Sequence, residues 1–370
     1  MALAAPLFAA LLLALGLLLL LLRIPPRDGT PRDVLVLAVV TGLAFAGGIV
    51  AGRFVFHSGF AVLRLWFDAI LFGVAPLGLT VAVRAWRQRR GGFAATVGAL
   101  SAVVLAIGAY ALRVEPFSLE VNRHAIVSER LPAGRAEPLV VAVLADLQTD
   151  RIGRYERRVF EELDALRADL WLLPGDYLQC GTRERRLRAI EELASLFDEL
   201  KHVPPLGIWA VDGDVDRAPQ SITSERVSFL RNETVRLGDS GLQLHGLGTP
   251  ASRQPVSDGV LADIDAFDGL TLVVGHAPDF MLSALNGRVD REAVLVAGHT
   301  HGGQVVVPGY GPPMTLSRVP RWLAAGGVHG SGDTTLCVSR GVGLERGYAP
   351  RIRFLCRPEI VVLELYGPAR

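Results

Sequence analysis

The chain has 370 residues, half of them hydrophobic, and a formal net charge of +1. So small a charge excludes an overall basic surface for nucleic acid, and no nucleic-acid partner is expected. Cys180, Cys337 and Cys356 form no C-x-x-C pair, which excludes a zinc ribbon or a disulfide framework; one disulfide stays open, and packing is the simpler role.

The apolar excess lies in the first third. Residues 2–22 carry no charge and are long enough to span a bilayer. They lack the basic start and small-residue cleavage site of a signal peptide, so a retained span is expected. Residues 34–52, 60–83 and 93–112 read as three further spans, with Trp66 and Trp86 near opposite interfaces. Arg64 and Asp68 are spaced to pair on one helix face, and Gly48 and Gly52 form a G-x-x-x-G helix-packing signal. Arg23, Arg27 and Arg32 follow the first span, and Arg84, Arg87, Arg89 and Arg90 follow the third. Both loops therefore prefer the cytoplasm, and four spans put everything after Leu112 on the outer side. The chain divides into a four-span anchor, residues 1–115, and a second domain, 116–370.

From Pro116 onward short apolar runs alternate with amphipathic charged stretches. Strands are predicted at 139–144, 169–173, 207–211, 271–274, 293–297, 335–339 and 360–365, helices at 154–166 and 183–200, and a hairpin over 234–247 turning at Gly238–Gly241. This alternation, followed by a strand-rich half, predicts a layered α/β domain. Polar residues collect just past the carboxyl ends of the strands, where open α/β sheets place their ligands.

Those residues are Asp146, Asp176, Asp214, His276, His299 and His301. Three clustered carboxylates repel one another and resist burial unless a cation joins them. Neutral imidazole is a common metal ligand, and one or two divalent ions would resolve the repulsion. A two-ion centre suits phosphoryl transfer.

The ordered blocks resemble the calcineurin-like metallophosphoesterase superfamily over residues 141–365. They are Asp146-Leu147-Gln148, Gly175-Asp176-Tyr177-Leu178-Gln179, Gly213-Asp214-Val215-Asp216, the lone His276, and Gly298-His299-Thr300-His301-Gly302-Gly303-Gln304. The last block, with Ser339-Arg340-Gly341-Val342-Gly343 and Arg357-Pro358-Glu359-Ile360, resembles the membrane-associated bacterial branch. The resemblance implies an αββα sandwich behind the four transmembrane helices and an integral protein of a bacterial cell membrane, and the arginine pattern puts the second domain on the extracytoplasmic side. It implies that Asp146, Gln148 and His301 face a first ion, that Asp176 bridges, and that Asp214, His276 and His299 hold a second. Asp176, Asp214 and His276 are the implied catalytic set, acting with metal-activated water; Mn, Zn, Fe and Mg are not distinguished.

Four positions depart from the family pattern. Gln148 stands where a ligating histidine is expected, Asp214 replaces an asparagine, Val215 replaces the catalytic histidine, and Gln179 replaces the second acid of G-D-x-x-D. An amide oxygen ligates hard cations but poorly replaces imidazole for softer ones. Losing a positioned proton donor typically costs on the order of 10²- to 10⁴-fold in rate. Asp150, Asp216, His245 and His329 are secondary candidates near the site, and the resemblance lets Gln304 and Arg340 touch substrate. The expected activity is hydrolysis of a phosphodiester, pyrophosphate or phosphomonoester, lipid-linked or envelope-associated, with membrane lipids as neighbours. The alternative is a catalytically degenerate metal-binding or sensing module of the same fold.

Overall fold

The computed structural model describes residues 30–133, 137–216, 222–289 and 291–368. The predicted span at 2–22 lies outside the described residues. The chain forms two compact units: one runs to Val114 and includes Arg346–Arg351, the other comprises Glu115–Glu345 and Ile352–Arg370.

In the first unit, among the described residues, three helices are long and apolar enough to cross a membrane, at Asp33–Val55, Gly59–Arg87 and Gly91–Phe117. They cover the predicted spans at 34–52, 60–83 and 93–112. Helix α1 (Thr30–Val50) packs on α2 (Gly59–Ala69), which continues through a π-helical turn into α3 (Ala75–Arg87), and α4 (Gly91–Arg113) follows. The G-x-x-x-G face makes the first contact: a Cβ on Gly48 would lie 2.7 Å from the Trp66 ring, and one on Gly52 2.7 Å from the Val62 backbone nitrogen. Small residues here let the two backbones approach. Arg64 and Asp68 pair at 3.3 Å as their spacing predicts, and Arg64 Nη1 donates to the Ala349 carbonyl at 3.2 Å.

The second unit is built on two six-stranded mixed sheets. Strands β1 (Glu120–Val127), β2 (Leu139–Val143), β3 (Leu170–Leu173), β4 (Ile208–Ala210), β5 (Val227–Phe229) and β12 (Glu359–Tyr366) form one sheet, ordered β1-β12-β2-β3-β4-β5. Strands β6 (Glu233–Arg236), β7 (Leu242–Gly246), β8 (Leu270–Val274), β9 (Ala293–Ala297), β10 (Gly327–Ser331) and β11 (Thr334–Val338) form the other, ordered β10-β11-β9-β8-β7-β6. Antiparallel β6 and β7 are the predicted hairpin.

Alternation along β2 explains the layering. Val141 and Val143 point into the core shared by the sheets, with Leu172, Leu244, Leu272 and Val296. Ala142 and Leu144 point the other way, against α5 (Arg154–Ala165) and α6 (Arg183–Asp198) through Val159, Leu163, Leu193 and Phe197. On the far face of the second sheet, Val273 and Leu295 meet Val260 and Ile264 of α7 (Asp258–Ala266) and Phe280. Thr182 caps α6 by accepting from the Arg185 N–H, Ser257 caps α7, and Glu156 accepts from the Gly153 N–H ahead of α5.

Strands β2, β3 and β4 are mutually parallel and adjacent, as are β7, β8 and β9. The exits of each set therefore fall along one sheet edge. The acid motifs leave the first sheet and the histidine motifs leave the second.

Candidate metal centre

Each ligand candidate follows its strand by a few residues and turns inward. Asp146 (φ 51°), Asp176 (φ 59°), His299 (φ 70°) and His301 (φ 48°) adopt left-handed backbone conformations, uncommon outside glycine and concentrated at functional sites. Two glycines make room for the acids. A Cβ on Gly213 would lie 2.0 Å from Asp176 Oδ1, and one on Gly298 2.6 Å from Asp146 Oδ2.

Four side chains converge. Asp176, Asp214, His276 and His299 each offer one ligand atom, all within 4.8 Å of one another. His276 Nε2 lies 3.4 Å from Asp176 Oδ2, 3.7 Å from Asp214 Oδ1 and 3.1 Å from His299 Nδ1. His299 Nδ1 lies 3.4 Å from Asp214 Oδ2. The opposite ring nitrogens are anchored to carbonyls, His276 Nδ1 to Pro174 at 2.8 Å and His299 Nε2 to Leu316 at 3.3 Å. A ring N–H donated to each carbonyl turns the other nitrogen, as a lone pair, toward the cluster, an orientation characteristic of metal-ligating histidine.

The electrostatics ask for a cation. Burial raises the Asp176 and Asp146 carboxyls above the usual carboxylate range. Burial alone would lower His276, but the charges of Asp176, Asp214 and Asp146 outweigh it and push the imidazole up to about 10. Burial and the neighbouring His276 charge bring His299 down to about 4. Asp214 stays below the carboxylate range, because His276, His299 and Arg253 outweigh the cost of its burial. One proton on His276 thus does what a divalent ion would do better. This donor set fits a divalent ion.

The remaining predicted ligands are placed differently. Asp146 is fully buried, and both its carboxylate oxygens accept from the His299 backbone N–H, at 3.0 and 2.9 Å. Gln148 Nε2 donates to Asp176 Oδ2 at 2.9 Å and to Glu345 Oε2 at 3.3 Å. His301 is buried, and neither ring nitrogen has a hydrogen-bond partner among the described residues. Burial, with the Arg353 charge nearby, holds it well below its ordinary pKa, as a neutral imidazole with a lone pair to give. His301 fits a metal ligand, while Gln148 meets Asp176 and Glu345 through its amide nitrogen and Asp146 shares the single His299 N–H between its oxygens.

Asp216 accepts from the backbone N–H groups of Asp176 (2.7 Å), Gly213 (2.9 Å) and Tyr177 (3.0 Å), and so ties the second acid block to the third. Val215 contributes its backbone N–H, donated to Asp176 Oδ1 at 3.0 Å. His245 faces Thr234 in the hairpin at 2.7 Å, and His329 packs its ring on Trp322. Gln304 Oε1 accepts from the Glu345 N–H at 2.9 Å, while Arg340 pairs with Glu359 at 2.6 Å and Glu120 at 3.3 Å. No disulfide joins Cys180, Cys337 and Cys356.

Three neighbours carry no motif signal. Glu345 joins the two glutamines, accepting from Gln179 Nε2 at 3.1 Å as well as from Gln148. Arg353, fully buried, donates to the carbonyls of Gly341 (3.1 Å) and Gly343 (2.7 Å). That loop clasps the Asp146 turn through Val342 N–H to Ala145 and Gly343 N–H to Asp146, at 3.1 and 2.8 Å. Arg253 touches Asp214 and His299.

A pair of mixed sheets with a buried Asp/His cluster across their strand exits defines a metallophosphoesterase-type α/β protein. The curated proteins it is similar to are metallophosphoesterases, in agreement with the resemblance of its ordered blocks to the calcineurin-like superfamily. The chain is 27% identical over 284 residues to YkuE of Bacillus subtilis, named an uncharacterized metallophosphoesterase, covering 72% of this chain and 94% of that protein. It is 25% identical over 287 residues to an uncharacterized metallophosphoesterase of Aquifex aeolicus, covering 72% and 98%. With the phosphodiesterase YaeI of Escherichia coli it shares 26% identity over 270 residues, 68% of this chain and 90% of that one. No family model matches the chain.

Proposed function

We propose that the protein is a membrane-anchored, metal-dependent phosphoesterase that cleaves a phosphodiester, pyrophosphate or phosphomonoester carried by a lipid-linked or envelope molecule. The observation that carries this reading is the convergence of Asp176, Asp214, His276 and His299 on one point, with His276 Nε2 and His299 Nδ1 both turned toward it. A divalent ion held there supplies Lewis acidity and a nucleophilic water at neutral pH. The protein's own part is positional. The carbonyls of Pro174 and Leu316 orient the imidazoles, Asp216 holds the acid loops together, and Asp146 fixes the His299 backbone. The likeness to a named phosphodiesterase supports diester substrates first. The apolar helices support anchoring, and the arginines after 2–22 and 60–83 support an outward-facing second domain.

The full-length protein in detergent, loaded with Mn²⁺ or Zn²⁺, should hydrolyse bis-p-nitrophenyl phosphate or p-nitrophenyl phosphate, and Asp176→Ala should not. Metal binding without turnover on any such substrate would favour the degenerate sensing module. Val215 supports that second reading, since its side chain can neither donate nor accept a proton. A reporter active only in the cytoplasm, fused after Arg370, should stay silent.

A further inference from the structure

Arg253 follows the four-residue helix Thr249–Ser252, whose Thr249 Oγ1 donates to the Asp212 carbonyl at 2.8 Å. This tie sets Arg253 beside the loop that carries Asp214. Its Nη2 donates to Asp214 Oδ2 at 2.5 Å and lies 3.4 Å from His299 Nε2. The side chains of Arg253 and Asp214 are 36% and 34% exposed, against 0% for His276 and 2% for Asp176. The guanidinium therefore stands where the ligand cluster opens to solvent.

An arginine serving only as counter-ion to a carboxylate favours the two-pronged fork, as Arg231 shows on Asp212 with bonds of 2.6 and 3.2 Å. Arg253 gives Asp214 one nitrogen. Its Nε and Nη1 have no acceptor among the described residues. Arg318, itself paired with Asp279 at 3.6 Å, braces this segment from the other side, its Nη2 donating to the Arg253 carbonyl. A planar donor set with unused N–H groups, beside a metal-ligating cluster and open to solvent, matches the geometry of a phosphate oxyanion.

We infer that Arg253 is the phosphoryl anchor of this site, a substrate-contacting residue that donates to a non-bridging phosphate oxygen while Asp214 keeps the guanidinium aimed. The inference rests on the phosphoesterase reading for its substrate class. It also explains how a site with an aspartate at 214 accepts an anion, because Arg253 offsets the added negative charge on the solvent side.

The test uses full-length protein in detergent, loaded with Mn²⁺, and inorganic phosphate as the probe. Phosphate affinity is measured by calorimetry and Mn²⁺ content by elemental analysis for wild type, Arg253→Gln and Arg253→Lys. Expected is at least a tenfold loss of phosphate affinity in R253Q at unchanged Mn²⁺ content and melting temperature, with partial recovery in R253K. Phosphate affinity in R253Q within twofold of wild type overturns the anchor. So does a loss that merely tracks a fall in Mn²⁺ content or melting temperature across both variants, or an absence of Mn²⁺-dependent phosphate binding by wild type. Turnover of bis-p-nitrophenyl phosphate separates the two readings. Wild type that binds phosphate through Arg253 without turnover removes the hydrolase and keeps the anchor, and turnover untouched by R253Q does the reverse.

Discussion

His276 Nε2 and His299 Nδ1 face each other at 3.1 Å, each ring held from behind by a carbonyl. Two lone pairs at that distance need a cation between them, a proton or a metal. Removing either ring should therefore remove the metal. His276→Ala and His299→Ala are each expected to weaken Mn²⁺ binding by more than about 100-fold, above the 10- to 100-fold typical of outer-shell changes. Calorimetric titration of the full-length protein checks it, and a variant that retains wild-type affinity would remove that histidine from the ligand set.

The same pair sets a pH dependence. His276 sits at about 10 in the folded, metal-free protein, above an unfolded value of about 6.5. A raised folded value means that its contribution to stability is complete below about 6.5 and disappears as pH rises toward 10. The metal-free protein should therefore lose melting temperature between those limits. Metal binding must displace that proton, so Mn²⁺ affinity should rise with pH over the same window and the melting curves with and without Mn²⁺ should diverge. Thermal scans at pH 6.5, 8 and 9.5 test the sign; curves that converge as pH rises would contradict it.

Gly213→Ala places a methyl 2.0 Å from Asp176 Oδ1 and 2.2 Å from its backbone nitrogen. Neither atom can retreat cheaply, because Asp216 holds the Asp176 N–H and Val215 holds the carboxylate. Overpacking of this kind typically costs about 1–3 kcal/mol. The expected result is a lower melting temperature together with lost metal, whereas Gly259→Ala, with open space around its Cβ and no left-handed backbone, should leave metal content unchanged. Equal metal content in both variants would argue against a tightly packed acid loop.

Arg353→Met tests a fully buried cation behind the Asp146 turn. Its guanidinium donates to the carbonyls of Arg340, Gly341, Gly343 and Cys356, and the substitution strips those buried acceptors of a donor. Each such loss typically costs about 1–3 kcal/mol. Because the Gly341–Gly343 loop clasps the Asp146 turn, both melting temperature and Mn²⁺ affinity should fall. A drop in stability with metal affinity intact would limit Arg353 to folding.

Most of this site was legible because its ligands follow short, mostly buried strands. The run Ala293–Ala297 followed by Gly-His-Thr-His marks both the strand and its exit, and β2, β3 and β8 behave alike. What escaped lacks that signature. Strand β1 lies at a sheet edge with half its residues charged or polar, so Glu120–Val127 shows no apolar run. Arg253 and Glu345 reach the site from loops, and only the fold brings them near Asp214 and Gln148. Asp216, only a secondary candidate by sequence, accepts three backbone N–H groups.

Gln148 gives the final prediction. Its amide nitrogen donates to Asp176 Oδ2 at 2.9 Å, so a hydrogen bond within the protein occupies a carboxylate oxygen that the family pattern assigns to the bridging ligand. His301 meanwhile keeps two buried nitrogens with no partner among the described residues. An imidazole at 148 replaces a weak amide donor with a ligand that suits Zn²⁺, and only one ring nitrogen can be protonated when neutral. Gln148→His should therefore raise the Zn²⁺ bound at saturation by up to one ion per chain, while adding little for Mg²⁺, which prefers oxygen ligands. Elemental analysis after equilibrium dialysis reads this directly. Equal zinc content in wild type and Gln148→His would show that position 148 does not limit the first site, and would turn attention to Asp146, whose two oxygens share the His299 N–H.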